Sequence, residues 1–274
     1  MDILRTSSEG LSLGRHPASE MEPEARPAIL KIGGSMASKP EDLDALVAVL
    51  EAEWKRHPRL VVVCSAFRGV TDRLNRQAPA GLAAGERAQW LASGEAVVVE
   101  TWFQLLSNAG FPVSALAPCD WPLVAEGPRL DADPVALSGN PLQMRGGVSE
   151  ARIWLVPGFV ARTIKGEPCL LGRGGSDLTA VFLAWALGAR SCRLLKASGG
   201  IFPRAPLAPR PALSASKPAE EPFRHLPYPA LRKLEQSPIQ AKALAFAERH
   251  RVSFRVTGLT PEGGTTVGFS EVLP

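Results

Sequence analysis

From Ala28 onward the apolar residues fall alternately into short unbroken runs and longer stretches of helical spacing. Ile29, Leu30 and Ile32 make a short strand that runs into the turn Gly33-Gly34-Ser35, and residues 40–56 then repeat Leu43, Leu46, Val47 and Leu50 on one helical face. Leu60 to Val63 is an unbroken apolar run, the pattern of a strand buried on both faces of a parallel sheet, and it ends at Cys64-Ser65-Ala66 before another glycine turn. The same spacing predicts helices over 87–108, 177–187 and 238–250, and strands over 113–116, 153–156, 193–195 and 252–256. Strands alternating with helices imply an α/β domain, a three-layer α/β/α sandwich with a mostly parallel central sheet.

Two segments stand apart from this pattern. Residues 1–27 mix Ser, Gly, Glu and Pro without periodicity and read as a loose tail, with the folded domain expected over 28–274. The stretch from Phe202 to Pro229 is crowded with Pro, Ala and Ser and reads as a long surface excursion, at about 203–229, within that one domain.

Composition narrows the class of molecule. With 274 residues, 45% of them hydrophobic, the chain can bury one sizeable core. No apolar run approaches the roughly 20 residues of a membrane span, and the N-terminus lacks a secretory pattern, so a cytoplasmic protein with no membrane partner is expected. The four cysteines, Cys64, Cys119, Cys169 and Cys192, are far apart and show no metal-ligand spacing, so they are expected to be isolated buried thiols and no metal site is predicted. A formal charge of +4 is spread among interleaved acids and bases, which favours a small anionic ligand over nucleic acid.

Three places can carry chemistry. Lys31 projects from a strand end beside Gly33 and Gly34, whose amides can approach a phosphate closely, although an ordinary solvated turn accounts for the same residues. Gly172-Arg173-Gly174-Gly175-Ser176-Asp177 precedes an apolar helix, where Ser176 or Asp177 can cap and the N-terminus can receive an anion; a plain turn leaves Arg173 unexplained. Ala92-Ser93-Gly94-Glu95 leads into the apolar stretch from Ala96, placing Glu95 in a first helical turn, where a carboxylate complements the helix dipole. Arg68, Asp72 and Arg73 around Gly69-Val70-Thr71 read as surface charges.

Taken in chain order, these segments resemble the catalytic region of the aspartokinases, of the amino-acid kinase family, from Ile29 to Val267. Lys31-Ile32-Gly33-Gly34-Ser35 is similar to the family's Lys-Phe-Gly-Gly-Thr, and Ser65-Ala66 with Gly69-Val70-Thr71-Asp72 is similar to its Ser-Ala and Gly-Val-Thr-Asp. Gly94-Glu95 matches its Gly-Glu element, and Pro157-Gly158-Phe159 with Leu171 to Asp177 matches its Pro-Gly-Phe and Leu-Gly-Arg-Gly-Gly-Ser-Asp. The resemblance implies the amino-acid kinase fold, ATP with Mg2+, and attack of a small amino acid's carboxylate on the γ-phosphate to give an acyl phosphate. It implies catalytic roles for Lys31, Asp177 and Lys196, and amino-acid contacts from Ser65, Glu95 (to the α-amino group), Arg173 (to a carboxylate) and Ser176. Gly33, Gly34, Ser35, Gly174, Gly175, Lys196 and Phe202 would lie against nucleotide phosphates or base. A homodimer is implied by analogy, and the chain's length implies no room for C-terminal feedback domains, hence no inhibition by lysine or threonine.

The nucleotide side departs from the pattern. Lys196-Ala197-Ser198-Gly199-Gly200 followed by Phe202 stands where the family has Thr-Asp-Val-Asp-Gly and a tyrosine, so Ala197 replaces an aspartate, and Ala205-Pro206-Leu207 replaces Asp-Pro-Arg. The family's Gly-Ala-Lys before its last helix falls at Gln236 to Ser237, which removes a second phosphate-binding lysine. Two readings follow: a modified kinase in which Lys196 supplies the missing charge, or a homologue that binds an amino acid or nucleotide without transferring phosphate.

Overall fold

The computed structural model describes residues 26–36, 40–142, 152–203, 221–260 and 263–269. Its first half comprises β1 (Ala28–Ile32), α1 (Pro40–Arg56), β2 (Leu60–Cys64), α2 (Val70–Gln77), α3 (Ala84–Asn108), β3 (Val113–Ala115), β4 (Leu123–Glu126) and β5 (Asp133–Leu137). There follow β6 (Ile153–Pro157), β7 (Val160–Arg162), β8 (Pro168–Leu170), α4 (Gly175–Ala186), β9 (Ser191–Leu195), β10 (His225–Pro227), α5 (Tyr228–Arg232), α6 (Ala241–Arg249), β11 (Phe254–Thr257) and β12 (Thr265–Gly268).

The apolar runs β1, β2 and β6 are buried at every position because helices cover both of their faces. They lie in an eight-stranded sheet of order β10-β12-β11-β9-β1-β2-β6-β3, in which only β11 and β12 pair antiparallel. Successive side chains point to opposite faces and so divide between two cores. Ile29, Val61, Val63, Cys192 and Leu194 join the core containing α4 and α6, whereas Leu30, Ile32, Val62, Cys64 and Leu195 join the core under α1. This is the expected three-layer α/β/α sandwich. Helix α4 is apolar nearly all round, and every residue but Trp185 is buried, as its position between the sheet and α6 requires.

Several boundaries and elements differ from expectation. A second sheet, ordered β5-β4-β7-β8, was not foreseen: its strands are short, and one opens on Asp-Pro. Helix α2 buries no side chain, so it lacks the apolar stripe that would have announced it. Helix α3 starts at Ala84 rather than at residue 87, with the Ala83 N–H donating to Glu86 Oε2 at 2.8 Å. Helices α4 and α6 and strand β11 are displaced from their predicted bounds by one to three residues at their ends.

The Pro-rich excursion is shorter than its composition indicated. Its last part forms β10 and opens α5, because Leu226 and Tyr228 are buried and the Tyr228 hydroxyl donates to the Val252 carbonyl at 2.6 Å. Residues 204–220, and most of the expected N-terminal tail, lie outside the described residues. Cys64, Cys169 and Cys192 are buried free thiols as expected; Cys119 is free but exposed, which corrects the reading of four buried thiols.

On the α1 side, Arg193 of β9 donates from Nη1 to Glu53 Oε1 at 2.6 Å, from Nε to Thr257 Oγ1 at 2.6 Å and from Nη2 to the Gly258 carbonyl at 3.0 Å. Removing the carboxylate leaves a buried guanidinium held only by neutral acceptors. Glu53→Ala is therefore expected to lower stability by about 3 kcal/mol, the lower end for breaking a buried pair, read as a reduced urea midpoint at unchanged slope.

Candidate active site

Strands β9, β1 and β2 are neighbours, with Lys31 in register with Leu194 on one side and Val63 on the other. Alternation from Ile29, Val63 and Leu194 brings Lys31, Ser65 and Lys196 out on one face, the face of α4, at the carboxyl ends of their strands. The chain also reverses its direction of travel here, since β2 lies on one side of β1 and β9 on the other. Open parallel sheets form their ligand crevice at such a point.

Asp177, in the first turn of α4, lies between the two lysines. Its Oδ1 is 2.8 Å from Lys31 Nζ and its Oδ2 is 2.5 Å from Lys196 Nζ. Asp177 is 2% exposed and Lys31 is 5% exposed, so the arrangement is shielded from bulk water. Burial alone would raise the Asp177 carboxyl, but the charges of Lys31 and then Lys196 outweigh it and hold the group below the usual carboxylate range. Burial, reinforced by the charge of Lys31 and opposed by Asp177, brings Lys196 down to about 8. With both amines protonated, the trio carries one net positive charge directed at the cleft.

Neither Ser176 nor Asp177 caps α4, contrary to expectation. The N-cap position belongs to Gly174, whose φ of 77° lies in the left-handed region that glycine adopts without strain. Ser176 is free to reach across the sheet end, and its hydroxyl donates to Ser65 Oγ at 3.2 Å. At the end of β1 a Cβ on Gly34 would stand 2.0 Å from the Ala66 carbonyl oxygen, so only glycine lets the two strand-end loops meet there.

Glu95 sits in the middle of α3, not in a first turn, so dipole complementarity does not explain it. The helix passes from one core to the other at this point. Ala88, Leu91 and Ala92 pack with the α4 side, Val98, Val99 and Trp102 with the α1 side, and Glu95 is left at the crossing. It is 2% exposed, Oε1 accepts the Ala66 N–H at 3.3 Å, and Oε2 has no hydrogen-bond partner among the described residues. Burial pushes its carboxyl up to about 8 against the Ala66 hydrogen bond and the Lys31 charge.

These groups border one cleft of about 570 Å³, lined by Lys31, Ser65, Glu95, Arg173, Gly174, Gly175, Ser176, Asp177 and Lys196. Gly33, Gly34, Ser35 and Phe202 do not line it; the two glycines lie behind it, where the Gly34 carbonyl accepts the Arg68 N–H at 2.9 Å. The cleft also takes in Asp72, Asn75, Arg87 and Gln240. Of these, Arg87 stands two turns ahead of Glu95 on one helical face, and Asp72, a surface charge by its pattern alone, belongs to the segment Gly69-Val70-Thr71-Asp72.

Lys242, the second residue of α6, donates from Nζ to Asp131 Oδ1 at 2.9 Å and to the Ala132 carbonyl at 2.8 Å. Among the described residues no three His, Cys, Asp or Glu side chains gather to hold a metal ion. Two ammonium groups beside the N-terminus of α4 make a donor set suited to an anion. No helix among the described residues is long and apolar enough to cross a membrane.

Comparison with known proteins agrees with this geometry. A family model described as "Amino acid kinase family" matches residues 26–220. An aspartokinase of Thermus thermophilus is 29% identical over 181 residues, covering 64% of this chain and 43% of the relative. One of Geobacillus stearothermophilus is 27% identical over 243 residues, covering 87% and 58%. The chain spans about half the length of the curated relatives it matches. Among solved structures, Escherichia coli aspartokinase III in complex with aspartate and ADP superposes with a TM-score of 0.72 at 18% identity, over 88% of this chain and 64% of that one. Uridylate kinase from Archaeoglobus fulgidus gives 0.52 at 13% identity, over 89% and 100%. At these identities the two structures establish the shared fold.

Glu95 gives a pH signature. A carboxyl whose folded pKa is raised favours the fold at low pH, and that advantage is lost as pH rises from the ordinary carboxylate range through about 8. Glu95→Gln removes this dependence. The melting temperature of the variant, relative to wild type, is therefore expected to climb between about pH 5 and pH 8; a difference that stays constant across the window would contradict a neutral buried carboxyl.

Proposed function

The chain belongs to the amino acid kinase family, and from that premise we propose that it transfers the γ-phosphoryl group of ATP to the carboxylate of aspartate or a related small amino acid. The observation that carries this reading is the carboxylate of Asp177 shared by Lys31 and Lys196 at the mouth of the central strands. An attacking carboxylate is already ionised, so no base has to remove a proton, and the residues lining the cleft include no histidine. A carboxylate oxygen forms the new bond to phosphorus, the bond to the bridging oxygen of ADP breaks, and an acyl phosphate results. What such a reaction requires is alignment and neutralisation of charge.

In this reading Lys31 and Lys196 face the phosphoryl oxygens in transit, and Asp177 keeps both ammonium groups at fixed depth. Gly174 and Gly175 bring the positive end of α4 close to the nucleotide's phosphates. Glu95, neutral while the cleft is empty, ionises against the acceptor's ammonium, Arg173 takes a carboxylate from the rim, and Ser65 with Ser176 completes the floor. Mg2+ bound to the phosphate oxygens would supply further charge neutralisation. Ala197 packs on the opposite, α1-side core, so the positive charge at this strand end comes from its neighbour Lys196.

A coupled ADP-release assay across small amino acids tests the proposal. Turnover is expected with an acidic amino acid, and Lys31→Ala and Lys196→Ala are each expected to lower kcat about 10²- to 10³-fold, the scale of losing one preorganised charge-stabilising donor. Because Lys196 titrates at about 8, wild-type kcat/KM should fall above that pH as the ammonium is lost, whereas Lys196→Arg should flatten the alkaline limb. A folded protein that binds an amino acid by calorimetry but turns over no small carboxylate would replace transfer by the binding role.

A further inference from the structure

Arg87, Leu91 and Glu95 occupy positions i, i+4 and i+8 of α3 and all three border the cleft. They form one stripe along its wall. Helix α2 holds this part of α3 at three successive points. The Arg87 guanidinium donates from Nη2 to Asn75 Oδ1 at 2.8 Å, the Trp90 indole N–H donates to the Leu74 carbonyl at 2.8 Å, and Gly94 lies under Leu74 and Val70, where an added Cβ would be 3.2 Å from each. The guanidinium is thus aimed by a neutral carboxamide, and no carboxylate among the described residues forms an ion pair with it. Most of its donors and its whole charge remain for something in the cleft.

The spacing along the stripe limits what that can be. Glu95 and Arg87 are separated by about 12 Å of helix rise, and because helical side chains lean the same way, toward the N-terminus, their heads do not converge. An ammonium at Glu95 and an anion at Arg87 belong to a molecule longer than aspartate.

We propose that Arg87 is a specificity-determining residue that receives a distal anionic group of the acceptor, and that the acceptor is an amine extended beyond aspartate to a further carboxylate or other anion. The assignment rests on Glu95 taking the acceptor's amine, as in the function proposed above. Arg87 touches the end of the acceptor remote from the reacting carboxylate, so it acts on selection and not on transfer.

The test is calorimetric titration of the full chain with L-aspartate, L-2-aminoadipate and L-aspartyl-L-glutamate, with ADP release measured in parallel. With one glutamyl carboxylate in place of aspartate's at Arg173 and the other at Arg87, the dipeptide is expected to bind about tenfold more tightly than aspartate, the usual worth of one charge-assisted contact. Arg87→Gln should abolish that advantage while leaving aspartate's affinity unchanged, and Asn75→Ala, which releases the guanidinium from the other helix, should reduce it. A dipeptide that binds no tighter than aspartate, or an Arg87→Gln variant that weakens every probe equally, overturns the assignment. Turnover of aspartate together with a dipeptide that gains nothing from Arg87 overturns it and leaves the kinase reading standing. Length-selective binding that depends on Arg87, without turnover of any probe, upholds the acceptor site and removes the kinase reading instead.

Discussion

The cleft is organised by a buried carboxylate that two ammonium groups share. Two lysines on adjacent strand ends would repel one another in a space shielded from water. Asp177 makes their proximity stable, and its own ionisation is stable only because both are present. The sheet end, the start of α4 and the glycine turns that let backbones meet there are arranged around this mutual dependence. The same arrangement leaves a single surplus positive charge facing outward into the cleft.

Much of this was readable from the residues. The unbroken apolar runs identified the central strands because a doubly covered strand has no polar face to confuse the pattern. Alternation within them then fixes the facing of Lys31 and Lys196 once α4 is known to lie above. The place of Glu95 in its helix was not readable: Gly94 just before it resembles a helix start, whereas it is a contact point where α2 packs on α3. Short strands such as β7 and β8, and a helix such as α2 with no buried side chain, carry too few apolar positions to register, so the second sheet and one wall of the cleft were invisible.

Lys242, in the first turn of α6, ties that helix to its surroundings. Its present partners, Asp131 and the Ala132 carbonyl, join α6 to the second sheet and so to the loop carrying Gly172 and Arg173. Three structural units therefore meet at the rim, while the floor is built from strand ends and the start of α4.

That division has an evolutionary corollary. Strand-end side chains are locked by a repeat of two, and any slip would turn an amine into a greasy layer. A helix wall instead offers sites one above another at regular intervals, each replaceable without disturbing the next. A descendant of this protein could trade a cleft-facing residue on α3 while the charged trio at the strand ends went unaltered.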